Sequence, residues 1–296
     1  MLDINGNMYL QAGSAGQYAI SAGNISVSGN ITEMSALSFT TTGGNMLTLD
    51  GGTKQTVLLP GAAVAGLKIA NASDKGVCIE KEFTVNTVLS DVNAKADGKI
   101  AIPRLTVLED GVFGGDLLVT GNVTFENDYV ISGTVEFTHE ARLADHTLSA
   151  GNLVISQHAV YDNNSAKNTY YGGKFYVEQG TILIQNKITV KDLGMLIMQD
   201  ENGFVSTRDF AMTSNSSHKG NLTGGTLYIT GDFEQSGAVN FIASENHVTI
   251  LDGEVLPSGK KRIQTIRFAH PGSCHFNILT LTRAIDEGYV FNCTFD

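Results

Sequence analysis

Three groups of side chains in this chain have the types and spacing to do chemistry. Glu136, His139, Glu140, Arg142, Asp145 and His146 crowd into eleven residues. Carboxylates beside imidazoles suit general acid–base work on a glycosidic bond, or a loosely held metal. His270, Cys274 and His275 offer metal ligands, but no second ligand pair follows at zinc-finger spacing. Tyr161, Tyr170, Tyr171 and Tyr176 surround the polar stretch 163–168, where ring faces could carry a glycan.

Each group also has a plainer reading. The charged patch reads as a solvated loop between coils, with a polysaccharide or metal site as the alternative. The tyrosine segment reads as an insertion between coils whose rings pack at its base, and Pro271-Gly272-Ser273 makes the His270 region a turn. Adjacent acids at Glu109-Asp110, Asp200-Glu201 and Asp286-Glu287 lack the partner motifs of polygalacturonase-type hydrolases, and Arg262-Ile263-Gln264 only grazes one of them. A P-loop, a dinucleotide fingerprint, a nucleophile elbow, an EF-hand and the nonapeptide calcium repeat are all missing from the sequence. No catalytic, cofactor-binding or metal-binding residue is therefore assigned, and no cofactor is expected.

The elements that would position these groups follow from an internal repeat. Residues 24–32 read NISVSGNIT and residues 226–234 read TLYITGDFE, with Gly29 and Gly231 202 positions apart. At the same offset Phe39 meets Phe241, and MLTLDG at 46–51 meets VTILDG at 248–253. After a seven-residue insertion, Gln55-Thr56-Val57 faces Gln264-Thr265-Ile266, and a further slip of three sets Asp74-Lys75-Gly76 on Asp286-Glu287-Gly288. Long-period self-similarity marks a stacked architecture. Phe39 and Phe241 are expected to point inward at equivalent places.

Short apolar or alternating runs recur along the chain, for example at 25–27, 46–49, 67–69, 117–119, 175–177, 181–184 and 188–190, each near Gly, Asn, Asp or Ser. Helical periodicity is hard to find, and 61–70 reads as loop and strand. A Gly-Asn or Gly-Asp step between strands, as at 29–30, 121–122 and 231–232, reads as a corner in which Gly tolerates φ > 0. Such a chain can fold as a sandwich of hairpins or as a parallel β-helix. The strands look short and uniform, which favours the β-helix. The expected fold is all-β, one elongated right-handed parallel β-helix (β-solenoid) over 1–296, of roughly twelve coils of about 20–25 residues. Related units are expected at about 24–85 and 225–292, with a less repetitive middle at about 86–224.

Composition agrees. The chain has 33 Gly, 4 Pro, no Trp and 17% charged residues, so its surface must be largely Ser, Thr, Asn and Gln. A net charge of −11, with Lys260-Lys261-Arg262 the one basic run, argues against nucleic acid and anionic membranes as partners. Three cysteines make no disulfide framework. Cys78 aligns with Val290 and reads as a small core residue, while Cys274 and Cys293 could stack one coil apart. Eight Asn-x-Ser/Thr sequons follow from Asn corners beside Ser/Thr strands. No signal peptide or apolar run of membrane-spanning length is visible, and the chain reads as a segment of a larger protein.

The stretch 220–235, GNLTGGTLYITGDFEQ, resembles the repeat units of very large Gram-positive cell-surface proteins. Asn240-Phe241, the His strand 247–253, Gln264-Thr265-Ile266, Pro271-Gly272-Ser273 and 276–279 continue the phrase. The first copy departs from it, with Gly43-Gly44-Asn45 at the His position, and the likeness covers about 24–80 and 220–292. The resemblance implies an extracellular, surface-displayed stalk or adhesin segment, with a host or cell-surface glycan or protein and neighbouring domains as partners. It carries over no catalytic residue. The expected function is thus a non-enzymatic structural or adhesive module; the alternative is a carbohydrate-binding or polysaccharide-degrading β-helix.

Overall fold

The computed structural model describes residues 1–296 except 12–17, 35–38, 92–93, 95, 103–111, 114, 126, 254–256, 260–261, 283–288 and 293–296. The described chain is all-β, without a helix, and its parallel strands stack as a β-solenoid of about eleven turns. The expected fold class holds, with about one turn fewer than anticipated. Two compact units divide the chain, one of residues 1–121 and 129–134, the other of 122–128 and 135–296.

In the first unit, Leu2–Ile4, Ile25–Val27, Met46–Leu49, Ala63–Ile69 and Thr84–Ser90 pair in parallel, each with the next. Met8–Leu10, Ile31–Glu33, Gln55–Leu58 and Val77–Ile79 form a second column. Leu2 pairs with Ile25 and Ile25 with Leu47, so successive coils take 23 and 22 residues. Alternation puts one residue in two inside, and Val27, Leu47, Leu49, Val57, Leu67 and Ile69 line a buried apolar interior.

In the second unit the strands Thr147–Ile155, Thr181–Val190 and Phe204–Met212 are nine or ten residues long, not short and uniform as expected. A register shift near Ala150 and Ile184 bends each across two faces of the coil. Where a Gly231-Asp232 corner replaces that shift, the next coil breaks into Thr226–Ile229 and Phe233–Gln235. One coil is much longer than its neighbour: Leu148 to Ile182 takes 34 residues, Ile182 to Val205 takes 23.

The repeat read at an offset of 202 is physical. Phe39 is 2% exposed and Phe241 is 0% exposed. In the first unit Gln55 Oε1 accepts the N–H of Gly51 (2.8 Å) while Nε2 donates to the carbonyl of Val27 (2.7 Å). In the second, Gln264 Oε1 accepts from Gly253 (3.3 Å) and Nε2 donates to Ile229 (3.2 Å). Corner residues agree too. Asn7 Oδ1 accepts the N–H of Asn30, whose Oδ1 accepts that of Thr56. Asp209 Oδ1 likewise accepts from Asp232, whose Oδ1 accepts from Thr265. Even the outer pairs match, with the Ser26 hydroxyl on Asp50 and the Tyr228 hydroxyl on Asp252.

The corner glycines work differently from the expectation. Gly29 and Gly231 are not among the residues with positive φ. Instead a Cβ at Gly29 would collide with the backbone of Gly6, and one at Gly231 with Asp209 Oδ1. They are glycines because successive coils touch backbone to backbone there. Cys78 also departs from expectation: it sits half-exposed between inward Val77 and Ile79, opposite Thr56 and Asp97, so its slot faces outward. The aligned Val290 is likewise exposed.

Because Gln55 and Gln264 satisfy backbone groups that no water reaches, Gln55→Leu is expected to destabilise by about 1–3 kcal/mol despite its apolar gain. Urea denaturation would measure this, and a neutral result would show that those backbone groups find other partners.

Candidate functional site

The second unit carries a four-stranded parallel sheet of Val123–Thr124, Glu140–Leu143, Lys174–Val177 and Met195–Met198. Its inner face buries Ala141, Leu143, Phe175, Val177, Leu196 and Met198. Phe125, Phe137 and Phe175 pack beneath it with ring centroids 5.0–6.0 Å apart. Alternation therefore sends Glu140, Arg142, Lys174, Tyr176 and Met195 outward. Register sets Glu140 beside Lys174 and Lys174 beside Met195, with Arg142 beside Tyr176.

Arg142 organises this face. Its guanidinium lies 3.9 Å from the Tyr176 ring centroid. Nε donates to Glu140 Oε1 at 2.8 Å and Nη1 to Glu178 Oε1 at 3.0 Å. At the carboxyl ends of the strands, Arg142, Asp145, Tyr176, Glu178, Gln199 and Asp200 border an open groove of about 720 Å³. At the amino ends, Asn122, His139, Glu140, His158, Tyr171 and Lys174 border another of about 400 Å³.

A hairpin walls the second groove and accounts for the long coil. Gln157–Asp162 and Lys167–Gly172 pair antiparallel, His158 opposite Tyr171, Ala159 opposite Tyr170 and Tyr161 opposite Asn168. At its tip Asp162 accepts the N–H of Asn164 (2.9 Å) and the hydroxyl of Ser165 (2.8 Å), and Ala166 takes φ of +51°. Those bonds, the Ser165 hydroxyl first, hold the Asp162 carboxyl below its ordinary range. At its base the His158 ring stacks on His139 at 3.6 Å and, more loosely, on Tyr171 at 5.6 Å. His158 Nδ1 lies 2.8 Å from the Thr138 carbonyl, to which it donates in the tautomer with Nδ1 protonated. Burial, reinforced by the neighbouring His158, pushes the His139 imidazole below its usual pKa.

Pairing across the hairpin places Tyr171, His158 and Val160 on one face and Tyr161 and Tyr170 on the other. Tyr161, Tyr170 and Tyr171 are 58%, 50% and 51% exposed. Three of the four tyrosines singled out from sequence thus stand on one projecting element, Tyr171 near its base against His158 and Tyr161 toward its tip. Tyr176 lies apart, under Arg142.

The charged patch is divided. Glu140 and Arg142 lie on a strand of the open sheet face, not in a loop. Glu136 turns to Ser156 (2.7 Å) and Lys191 (3.7 Å), and His146 to Asp145 and Asp128. Glu140 and Glu178 are engaged by a single guanidinium, which leaves neither placed as an acid that protonates a leaving oxygen. Among the described residues no three His, Cys, Asp or Glu side chains are grouped to hold a metal. Cys274 is buried against Gln235 and Asn240, whereas His270 and His275 are exposed. Arg262 joins the corner ladder, 2.7 Å from Asp232. Lys260, Lys261, Cys293 with its suggested pairing, and the acids at 109–110 and 286–287 lie outside the described residues.

Sequence reasoning passed over His158, Lys174 and Asn122. The signal for the first was present: β-branched and aromatic residues at 158–161 and 169–171 flank Asp-Asn-Asn-Ser-Ala, a hairpin pattern hidden by the polarity of its turn. Comparison with known proteins leaves these features to speak for themselves: no protein-family model, no curated protein and no solved structure matches the chain.

Proposed function

We propose that the chain is a non-enzymatic structural and adhesive module, a segment of a bacterial surface-exposed stalk or adhesin whose contact element is the 157–172 hairpin. The observation that carries this reading is the hairpin itself. A two-stranded ribbon is marginal alone in water, and this one exposes tyrosines on both faces. Folding gives no reason to keep them there; a partner does. The stacked coils supply a rigid base, with internal Gln and Asn holding each corner. The repeat phrase at 220–235 supports placement on a Gram-positive cell surface, with neighbouring domains of a longer parent chain.

Beads coated with the protein are expected to be retained on host-cell monolayers under flow. Beads carrying a variant with 158–171 replaced by a Gly-Gly link should wash off, although the variant melts within a few degrees of the parent. Equal retention would remove the hairpin from the reading. Release of new reducing ends from a polysaccharide panel would overturn the non-enzymatic assignment. Antibodies to the module should label intact cells of the source organism; labelling only after lysis would rule out surface display.

A further inference from the structure

We infer that the groove between the hairpin and the amino ends of the open sheet binds a neutral saccharide. This rests on the reading of the module as one that holds a partner without acting on it.

The groove's volume, about 400 Å³, lies within the range of small-ligand sites. One side is the aromatic wall of Tyr171, braced by the stacked imidazoles of His158 and His139. Leu193 and Met195 supply an apolar floor. Such surfaces receive the C–H face of a pyranose ring, and tyrosine adds a polar tip to its apolar body.

Polar groups around that floor have capacity to spare. Asn122 Oδ1 accepts the N–H of Glu140, which leaves its Nδ2 to donate outward. Glu140 gives Oε1 to Arg142, and its second oxygen remains an acceptor. Lys174, beside Glu140 in register, makes no ion pair among the described residues and brings an ammonium. Two donors and one acceptor next to aromatic faces match a ring that alternates hydroxyls with C–H bonds.

Charge selects the class. Lys174 and Glu140, neighbours across the strands, bring one charge of each sign to the lining, which therefore carries no net formal charge. The imidazole of His139 is held toward its neutral form by burial. At the other end of the same sheet, Asp145, Glu178 and Asp200 outnumber Arg142, and the whole chain carries −11. A polyanionic glycan would approach against that field, whereas a neutral one would not.

The test uses the full chain on an array of neutral hexose and N-acetylhexosamine oligosaccharides, with oligogalacturonate and sulfated oligomers as the acidic arm. The best neutral probe is then titrated calorimetrically. Tyr171→Ala and Lys174→Ala are each expected to weaken binding about tenfold. Tyr9→Ala, which removes an exposed ring in the first unit, should leave it unchanged. Melting curves guard against misfolding, and Lys174→Ala leaves the hairpin sequence intact if Tyr171→Ala does not fold. A silent neutral array, tighter binding of the acidic probes, or equal weakening by Tyr9→Ala would overturn the site. Mass spectrometry of the recovered probe separates the two readings. A bound but shortened oligomer would sink the non-enzymatic assignment and leave the site standing, and an intact, unbound one would do the reverse.

Discussion

Phe233→Ala is expected to lower stability by about 3–5 kcal/mol, the largest effect of any single core substitution proposed for this chain. Phe233 lies in a column between Phe210 and Phe268, with centroids 5.7 and 6.0 Å away and rings nearly parallel. Phe241 and Phe276 close around it at 5.1 Å. Truncation would open a cavity that four rings face. The backbone ladder fixes the distance between coils, so those rings cannot move in to fill it. Ile31→Ala, at the equivalent place 202 residues earlier, removes a smaller side chain and should cost less, about 2–4 kcal/mol. Urea denaturation with an unchanged m-value would confirm both. A loss under about 1 kcal/mol at Phe233 would mean that the aromatic column is not continuous.

Acid is expected to weaken the fold through His218. Its imidazole is buried and pushed down from an ordinary value near 6.5 to about 4, chiefly by desolvation and against the hydrogen bond to the Ser216 carbonyl. Nε2 accepts the N–H of Leu196 at 3.1 Å, and protonation would abolish that acceptor. The folded pKa is lower than the unfolded one, so the unfolded state binds protons first. Stability is complete above about pH 6.5 and is lost as pH falls toward 4, by about 3 kcal/mol at most from this group. Burial shifts His247 in the same direction, which deepens the same window. Melting curves of the parent and His218→Gln between pH 4 and 7 would decide the matter. Parallel curves would clear His218 of responsibility.

Much of this architecture was legible in the chain before any coordinates. The offset of 202 was visible because corners and inward slots admit few residue types. The match of Gln55 with Gln264 across an insertion of seven proved to be one hydrogen-bond arrangement made twice. Less legible was anything that depends on contact between coils. Close backbone approach at Gly29 and Gly231 looks, in sequence, the same as a demand for positive φ. Cys78 looked internal because it aligns with an apolar residue, Val290, but alternation turns it outward and Val290 is exposed as well. The candidate site was the least legible part. Its members come from 122, 139–140, 158, 170–171 and 174, and only the stacking of coils brings Asn122, Glu140 and Lys174 into one row.

The unequal coils have a consequence for how such a chain can change. Leu227 to Thr249 takes 22 residues, whereas Thr249 to Leu279 takes 30, and the ladder pairs across both. Extra residues are accepted in the sequence between Gly253 and Gln264 and in the hairpin, and the strands on either side still pair with their neighbours. For a flexible loop, doubling the length adds only about 0.6 kcal/mol of closure entropy. Corners are therefore the natural ports for grafted sequence. A foreign epitope or tag placed between Gly253 and Gln264 would ride on an intact coil, and the same tolerance would let related chains diversify what they display while their strands stay nearly constant.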